Sequence, residues 1–291
     1  MKNVMKQSGK ALGYFLFYFI VGQIIVAFIA QFIIGMVAGN QARAAGTVFE
    51  TQEEVVAMAN DFYARNMGLD LAARAIFLIL AFLIFFLIRK KNYFKEITLE
   101  KTSGIKILAA VLGAVFVIFC VNGAMSLLTP KDQLENFSQA SSVLYAYPLW
   151  QAILANALLV PIVEEIVFRG LMFSRLQKAM PNVAVALITS VLFGLVHGQI
   201  IWMIFAFIVG LILSYVRIKT NSILPTIIMH ILINSYATLV SYQIINFTSD
   251  ALYYALMVVG AICLGGCIYL LQTTCKKEQE SQKAEVTTVV V

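Results

Sequence analysis

Eight segments of this chain are apolar over lengths comparable to a bilayer, and a water-soluble interior has no room for eight such helices. A helix crossing the hydrocarbon core needs about 20 mostly apolar residues. The segments are Ala11–Val37, Leu71–Ile88, Ile105–Leu128, Leu149–Arg169, Val183–His197, Ile200–Val216, Ile223–Ile245 and Ala251–Leu271. The fifth and sixth are short and separated only by Gly198–Gln199, where Gly198 marks a helix stop. Composition agrees: 12% of residues are charged and mean hydropathy is +0.87, whereas a soluble domain carries about 25% charged residues. Intrinsic disorder needs the opposite balance. The fold class predicted is an all-α polytopic membrane bundle of about eight transmembrane helices.

The basic residues record a topology. With the N-terminus in the cytoplasm, alternation puts Lys2, Lys6 and Lys10 inside. It also places Arg89, Lys90, Lys91, Lys95, Lys101 and Lys106 there, then Arg175, Lys178, Arg217, Lys219, Lys276, Lys277 and Lys283. That accounts for sixteen of the 21 Lys and Arg, as the positive-inside rule demands. Arg43, Arg65, Arg74 and Lys131 fall outside, and Arg169 lies within a span. The net charge of +6 therefore calls for no nucleic-acid partner. Both termini are expected in the cytoplasm, with one membrane domain over residues 1–275, a motif-bearing core at 149–245 and a disordered polar tail at 276–291. The first apolar run is longer than a secretory signal core and is expected to stay as a helix. Thr51 with Glu54 forms a capping-box pattern ahead of Val55, Met58, Ala59 and Phe62, which predicts a short amphipathic helix on the outer leaflet. No internal repeat supports a secondary transporter built from repeated halves. Cys120, Cys263, Cys267 and Cys275 read as small packing residues.

Ionisable side chains inside a span cost about 2.5–3.5 kcal/mol each on insertion scales, so they mark functional candidates. Glu164, Glu165 and Arg169 lie in the fourth span, His197 near the end of the fifth, and His230 with Asn234 in the seventh. Residues four apart share a helix face and neighbours diverge by about 100°. Glu165 can therefore pair with Arg169, leaving Glu164 to seek the imidazoles of other helices. Pro161 frees the carbonyl of Ala157 and is expected to kink the helix beside the carboxylates. Each feature also has a plainer reading. Arg169 could snorkel to the headgroups in a structural pair, and His197 could bond a carbonyl at the Gly198 turn. His230 and Asn234 could be interhelical glue.

A carboxylate, two neutral imidazoles and an amide in a wet pocket support two hydrolytic mechanisms. In one, Glu164 acts as general base on water with His197, while His230 and Asn234 donate to the tetrahedral oxyanion. In the other, His197, His230 and Glu164 hold Zn²⁺, which acidifies bound water. The helical H-E-x-x-H zinc motif is absent, and the expectation is no tightly bound metal. No Ser or Cys is spaced to form a nucleophile pair with either histidine. A proton-coupled transporter using these groups as a relay is the rival from a different class.

Glu164-Glu165-Ile166-Val167-Phe168-Arg169-Gly170, Phe193-Gly194-Leu195-Val196-His197 and His230-Ile231-Leu232-Ile233-Asn234 resemble three motifs, E-E-x-x-x-R, F-x-x-x-H and H-x-x-x-N. They are those of the CAAX prenyl protease and bacteriocin-processing (CPBP, or Abi) family of intramembrane endopeptidases. The resemblance covers roughly Leu149–Asn234. It implies cleavage of a membrane-associated peptide, near its C-terminus or leader, by a glutamate-dependent or metallo-endopeptidase; the substrate is expected to be a hydrophobic or lipid-anchored peptide, and short loops with no organellar targeting segment suggest a bacterial plasma membrane. Under it Glu164 is the base, His197 its partner on water, His230 and Asn234 the oxyanion donors, and Glu165–Arg169 the support. It also implies an alternative, a non-proteolytic immunity or signalling scaffold with a membrane partner such as a sensor kinase. On this reading the first three spans contribute topology alone.

Overall fold

The computed structural model describes residues 2–46, 51–133, 147–246 and 249–289. These are helical, with no strand among them. The helices are α1 (Lys2–Ala44), α2 (Gln52–Ile88), α3 (Gly104–Leu128), α4 (Leu149–Leu176), α5 (Asn182–Leu195), α6 (Ile200–Thr220), α7 (Leu224–Ser241) and α8 (Asp250–Val289). All but α5 contain a stretch long and apolar enough to cross a bilayer. The protein is an all-α polytopic bundle.

The outer surface is what a lipid solvent requires. Phe28, Phe32, Val258 and Ile262 are each more than 60% exposed, which in water would be a severe apolar burden. The inside is ordered around α4. Of its apolar window 61% is buried within the protein, against 6% for α1 and 17% for α8, so α4 is the axis and the other two are peripheral. One core joins α1, α2, α4 and α5 through Leu78, Phe86, Phe168 and Phe193. A second joins α3, α6, α7 and α8 through Ala110, Leu213, Met229 and Cys267.

Three local outcomes differ from the sequence reading. α5 ends at Leu195 rather than His197 and has 14 residues, about 21 Å at 1.5 Å per residue against a hydrocarbon core of about 30 Å. Pro181 precedes its first turn and Gly198 reverses the chain at φ +79°. α5 instead forms a tight hairpin with α6. A Cβ on Gly194 would lie 2.8 Å from the Met203 carbonyl oxygen, and one on Gly210 would lie 2.9 Å from Ser190 Cβ. Secondly, Thr51 caps a helix as expected, its Oγ1 accepting from Glu54 N at 3.3 Å. That helix does not stop before the membrane: it continues as α2 through Ile88, because Asp61–Arg65 and Asp70–Arg74 pairs at i, i+4 carry it through the polar stretch. Thirdly, α8 runs on through the polar residues after 275 to Val289. Glu278 meets Lys106 of α3 at 2.7 Å there.

A strap between α2 and α3 holds the base of α4. It contains the single turn Tyr93–Glu96. Glu96 pairs with Arg175, Thr98 Oγ1 lies 2.8 Å from Ser174 Oγ, and the Thr98 carbonyl accepts from Ile223 N at 3.1 Å. Gly170 is the crossing point: a Cβ there would sit 3.0 Å from the Ile97 carbonyl oxygen.

Candidate active site

The site begins with an irregularity in α4. Pro161 lacks an N–H and its ring collides with the carbonyl four residues back. The helix accommodates it by widening: Ile153–Leu159 and Ile166–Met172 are π-helical, with α-helical Val160–Glu165 between them. Such bulges are concentrated at functional sites. Here the Glu164–Glu165 pair is carried between two wide turns.

His230 of α7 stands against both carboxylates. Its Nδ1 lies 3.0 Å from Glu165 Oε1, and its Nε2 lies 3.7 Å from Glu164 Oε2. A carboxylate accepts but does not donate, so Nδ1–H donates to Glu165 and Nε2 is turned towards Glu164. Glu165 Oε1 also accepts from Arg169 Nη1 at 2.8 Å. Glu165 thus joins the base of the histidine to the cation, whereas the sequence reading keeps it as a separate pair. Arg169 does not snorkel. It is wholly buried, donates to the Gly210 carbonyl at 3.1 Å and lies 4.5 Å from the centroid of Phe193.

His197 falls in the turn after α5. Its Nδ1 lies 2.7 Å from the Phe193 carbonyl oxygen, which can only accept. Nδ1 therefore carries the proton and Nε2 keeps a lone pair. Phe193 organises the group: its ring centroid is 4.9 Å from that of His197, 5.8 Å from His230 and 5.1 Å from Phe168. The two imidazoles flank one aromatic ring. Asn234, one turn beyond His230, donates through Nδ2 to the Asn156 carbonyl of α4 at 3.0 Å, leaving its second N–H.

Three contributors carry no role in the sequence reading. Tyr18 of α1 donates to Glu164 Oε1 at 3.4 Å and packs edge-on to Phe168 at 5.6 Å. The first span therefore reaches the acid directly, contrary to the expectation that it supplies topology alone. Phe193 is the ring around which the polar groups collect, and Asn156 anchors Asn234. A tyrosine inside an otherwise aliphatic span was the available signal for Tyr18, since buried polar groups seek partners; Asn156 acts through its main-chain carbonyl, which carries no side-chain signal.

A family model described as "Type II CAAX prenyl endopeptidase Rce1-like" matches residues 146–236. That segment holds all three motifs in order, together with the carboxylates and imidazole just described. Over this segment the chain is similar to the CPBP family. It is 26% identical over 144 residues to a Bacillus subtilis (strain 168) protein named "Putative membrane peptidase YdiL", covering 48% of this chain and 58% of that protein. It is 29% identical over 160 residues to the "UPF0177 protein YxdF" of Lactococcus lactis subsp. lactis (strain IL1403), covering 53% of this chain and 87% of that one. The chain thus spans little more than half the length of its Bacillus relative. No solved structure matches it significantly. Family and apolar helices together make it an integral membrane protein with bacterial relatives.

A catalytic zinc needs three protein donors and an open position. Among the described residues no three His, Cys, Asp or Glu side chains gather into a set able to hold a metal. Nδ1 of His197 is held by a carbonyl oxygen and Nδ1 of His230 by a carboxylate, which leaves both Nε2 atoms as acceptors. The mechanism proposed below uses the protein's own groups.

Proposed function

We propose that this chain is an intramembrane endopeptidase that hydrolyses a peptide bond of a membrane-associated or lipid-modified peptide, using water activated by Glu164. The observation that carries this reading is the placement of His230 Nε2 3.7 Å from Glu164 Oε2 with Nδ1 fixed on Glu165. Two lone-pair groups face one another across a span that a single water can bridge.

Glu164 accepts a proton from the water as its oxygen attacks the scissile carbonyl carbon. The water's second proton is held by the lone pair of His230 Nε2. The C=O π electrons move to oxygen, and the oxyanion takes a hydrogen bond from the free N–H of Asn234. Collapse of the intermediate breaks the C–N bond, and the proton held by Glu164 passes to the departing amine. Glu165 and Arg169 fix the ring of His230 and do not touch the reacting atoms.

The test uses purified protein in nanodiscs with a library of farnesylated and unmodified hydrophobic peptides, read by mass spectrometry of fragments. Wild type is expected to release defined fragments. Glu164→Gln is expected to lose about 10²–10⁴-fold in rate, the usual contribution of a general base. Equal fragmentation by the variant, or none by wild type from any peptide, overturns the reading. The local bonds of His197 and Asn234 to main-chain carbonyls also suit a non-proteolytic immunity or signalling scaffold. A cellular phenotype that survives Glu164→Gln at normal expression selects that alternative.

A further inference from the structure

Away from the carboxylate–imidazole cluster, α1, α2 and the end of α4 enclose a cavity of about 370 Å³. Two stripes of side chains form its walls. Lys10, Tyr14 and Phe17 follow one another at i, i+4 and i+7 on α1, and Phe82, Phe86 and Arg89 do so on α2. Each helix therefore turns one face to the cavity. The stripes run antiparallel, as the rings show: Phe17 meets Phe82 at 5.3 Å, while Tyr14 meets Phe86 at 6.2 Å. Both basic residues consequently fall at the same end. The aromatic floor lies about 10 Å deeper, seven residues at 1.5 Å each.

Floor and mouth differ in chemistry. Phe82 and Phe86 are buried, whereas Lys10, Arg89 and Lys91 are exposed at the rim. Arg175 of α4 adds a fourth cation beneath them. Glu96 answers part of this charge, pairing with Arg175 and with Lys91 at 3.3 Å. One carboxylate against four cations leaves the mouth strongly positive.

An aromatic slot under a cationic collar is complementary to an amphiphile with an anionic head. We propose that this cavity binds one anionic phospholipid of the adjacent leaflet. An acyl chain lies between the two aromatic stripes, and the headgroup phosphate is held by Lys10, Arg89 and Lys91. Guanidinium and ammonium groups are the natural donors to a phosphate. A zwitterionic lipid presents no net charge to the collar. The site is independent of the peptidase reading and is tested without any substrate.

Detergent-purified protein is titrated with phosphatidylglycerol and phosphatidylcholine of identical acyl chains and examined by native mass spectrometry. Glycerol 3-phosphate serves as the headgroup without its tail. One phosphatidylglycerol is expected to be retained in preference to phosphatidylcholine and not displaced by glycerol 3-phosphate. Lys10→Gln/Arg89→Gln is expected to weaken it about thirtyfold, at roughly fivefold per basic residue near a lipid surface. Gly13→Leu leaves charge untouched and is built into open space, with no atom within 4 Å of its Cβ. It is expected to fill the slot and expel the lipid. The charge-matched control, Lys276→Gln/Lys277→Gln in an exposed segment, keeps it. Equal retention of both lipids, equal loss in the control, retention by Gly13→Leu, or displacement by glycerol 3-phosphate each overturns the proposal.

Discussion

The hydroxyl of Tyr18 donates to the carboxylate of Glu164 across 3.4 Å, joining residues 146 positions apart in the chain. An O–H···O bond is ordinarily 2.5–3.0 Å, so this one holds the acid loosely. Tyr18 is buried at the inner face of α1, and its ring keeps its packing against Phe168 when the oxygen is removed. Tyr18→Phe is expected to lower peptide hydrolysis about 13-fold, the low end of a hydrogen bond to a charged group, with an unchanged melting temperature. A loss of melting temperature comparable to the loss of rate would make Tyr18 a packing residue only.

Glu164 and Glu165 both face His230, but only Glu165 is paired with Arg169. Removing one side of a buried ion pair leaves an uncompensated charge and costs about 3–5 kcal/mol. Arg169→Ala strands Glu165 in this way, so thermal unfolding in detergent is expected to fall sharply. Glu164→Gln leaves the Glu165–Arg169 pair intact and is expected to unfold near the wild-type temperature while inactive. Similar unfolding of both variants would contradict the division of roles.

Removal of metal is expected to leave the rate unchanged. With no three-donor set among the described residues, incubation with 1,10-phenanthroline or EDTA followed by peptide cleavage should give the untreated rate. A loss restored by added zinc would replace the carboxylate mechanism with a metal-dependent one.

Gly170 lets the strap pass under α4. Its Cβ would sit 3.0 Å from the Ile97 carbonyl oxygen and 3.1 Å from Ile97 Cβ, and backbone oxygen cannot swing aside as a side chain does. Gly170→Ala is expected to destabilise by about 1–3 kcal/mol, the usual cost of overpacking. It gains helix propensity at the same position, so a stability at or above wild type would show that the strap moves freely.

Tyr93, in the strap outside the spans, has its phenol pushed up to about 12 by burial, and its hydroxyl lacks a hydrogen-bond partner among the described residues. Burial favours the neutral phenol in the folded state, while the unfolded chain ionises near pH 10. The contribution is full below pH 10 and is lost as pH rises towards 12, by roughly 2–3 kcal/mol. Melting temperatures between pH 8 and 11.5 should fall more steeply for wild type than for Tyr93→Phe. Parallel curves would rule out the phenol as the alkaline trigger.

Hydropathy and charge made the bundle legible because a lipid solvent leaves few alternatives to long apolar helices. The site was legible where polarity was out of place: Glu164, Glu165, Arg169 and His230 announced themselves by the cost of burying them, and they do meet. Spacing along α4 paired Glu165 with Arg169 correctly. It had no means of revealing that His230 spans both acids, since that depends on the rotation of α7 against α4. Phe193 was visible as a motif letter, but a phenylalanine in an apolar span carries no signal of which rings it will touch. The length of α5 was misjudged because hydropathy continues through Val196, whereas backbone geometry at Gly198 ends the helix earlier. The capping box of α2 located a helix start correctly and gave no information about its end.

The segment shared with the Rce1-like model begins at residue 146, and Tyr18 lies far outside it. The matched segment brings the acid and its imidazole; a rod outside it supplies the group leaning on that acid. Two proteins with identical signatures can therefore be tuned apart by exchanging their opening helix, and chimaeras swapped at that joint would reveal how much of the behaviour is inherited and how much is local.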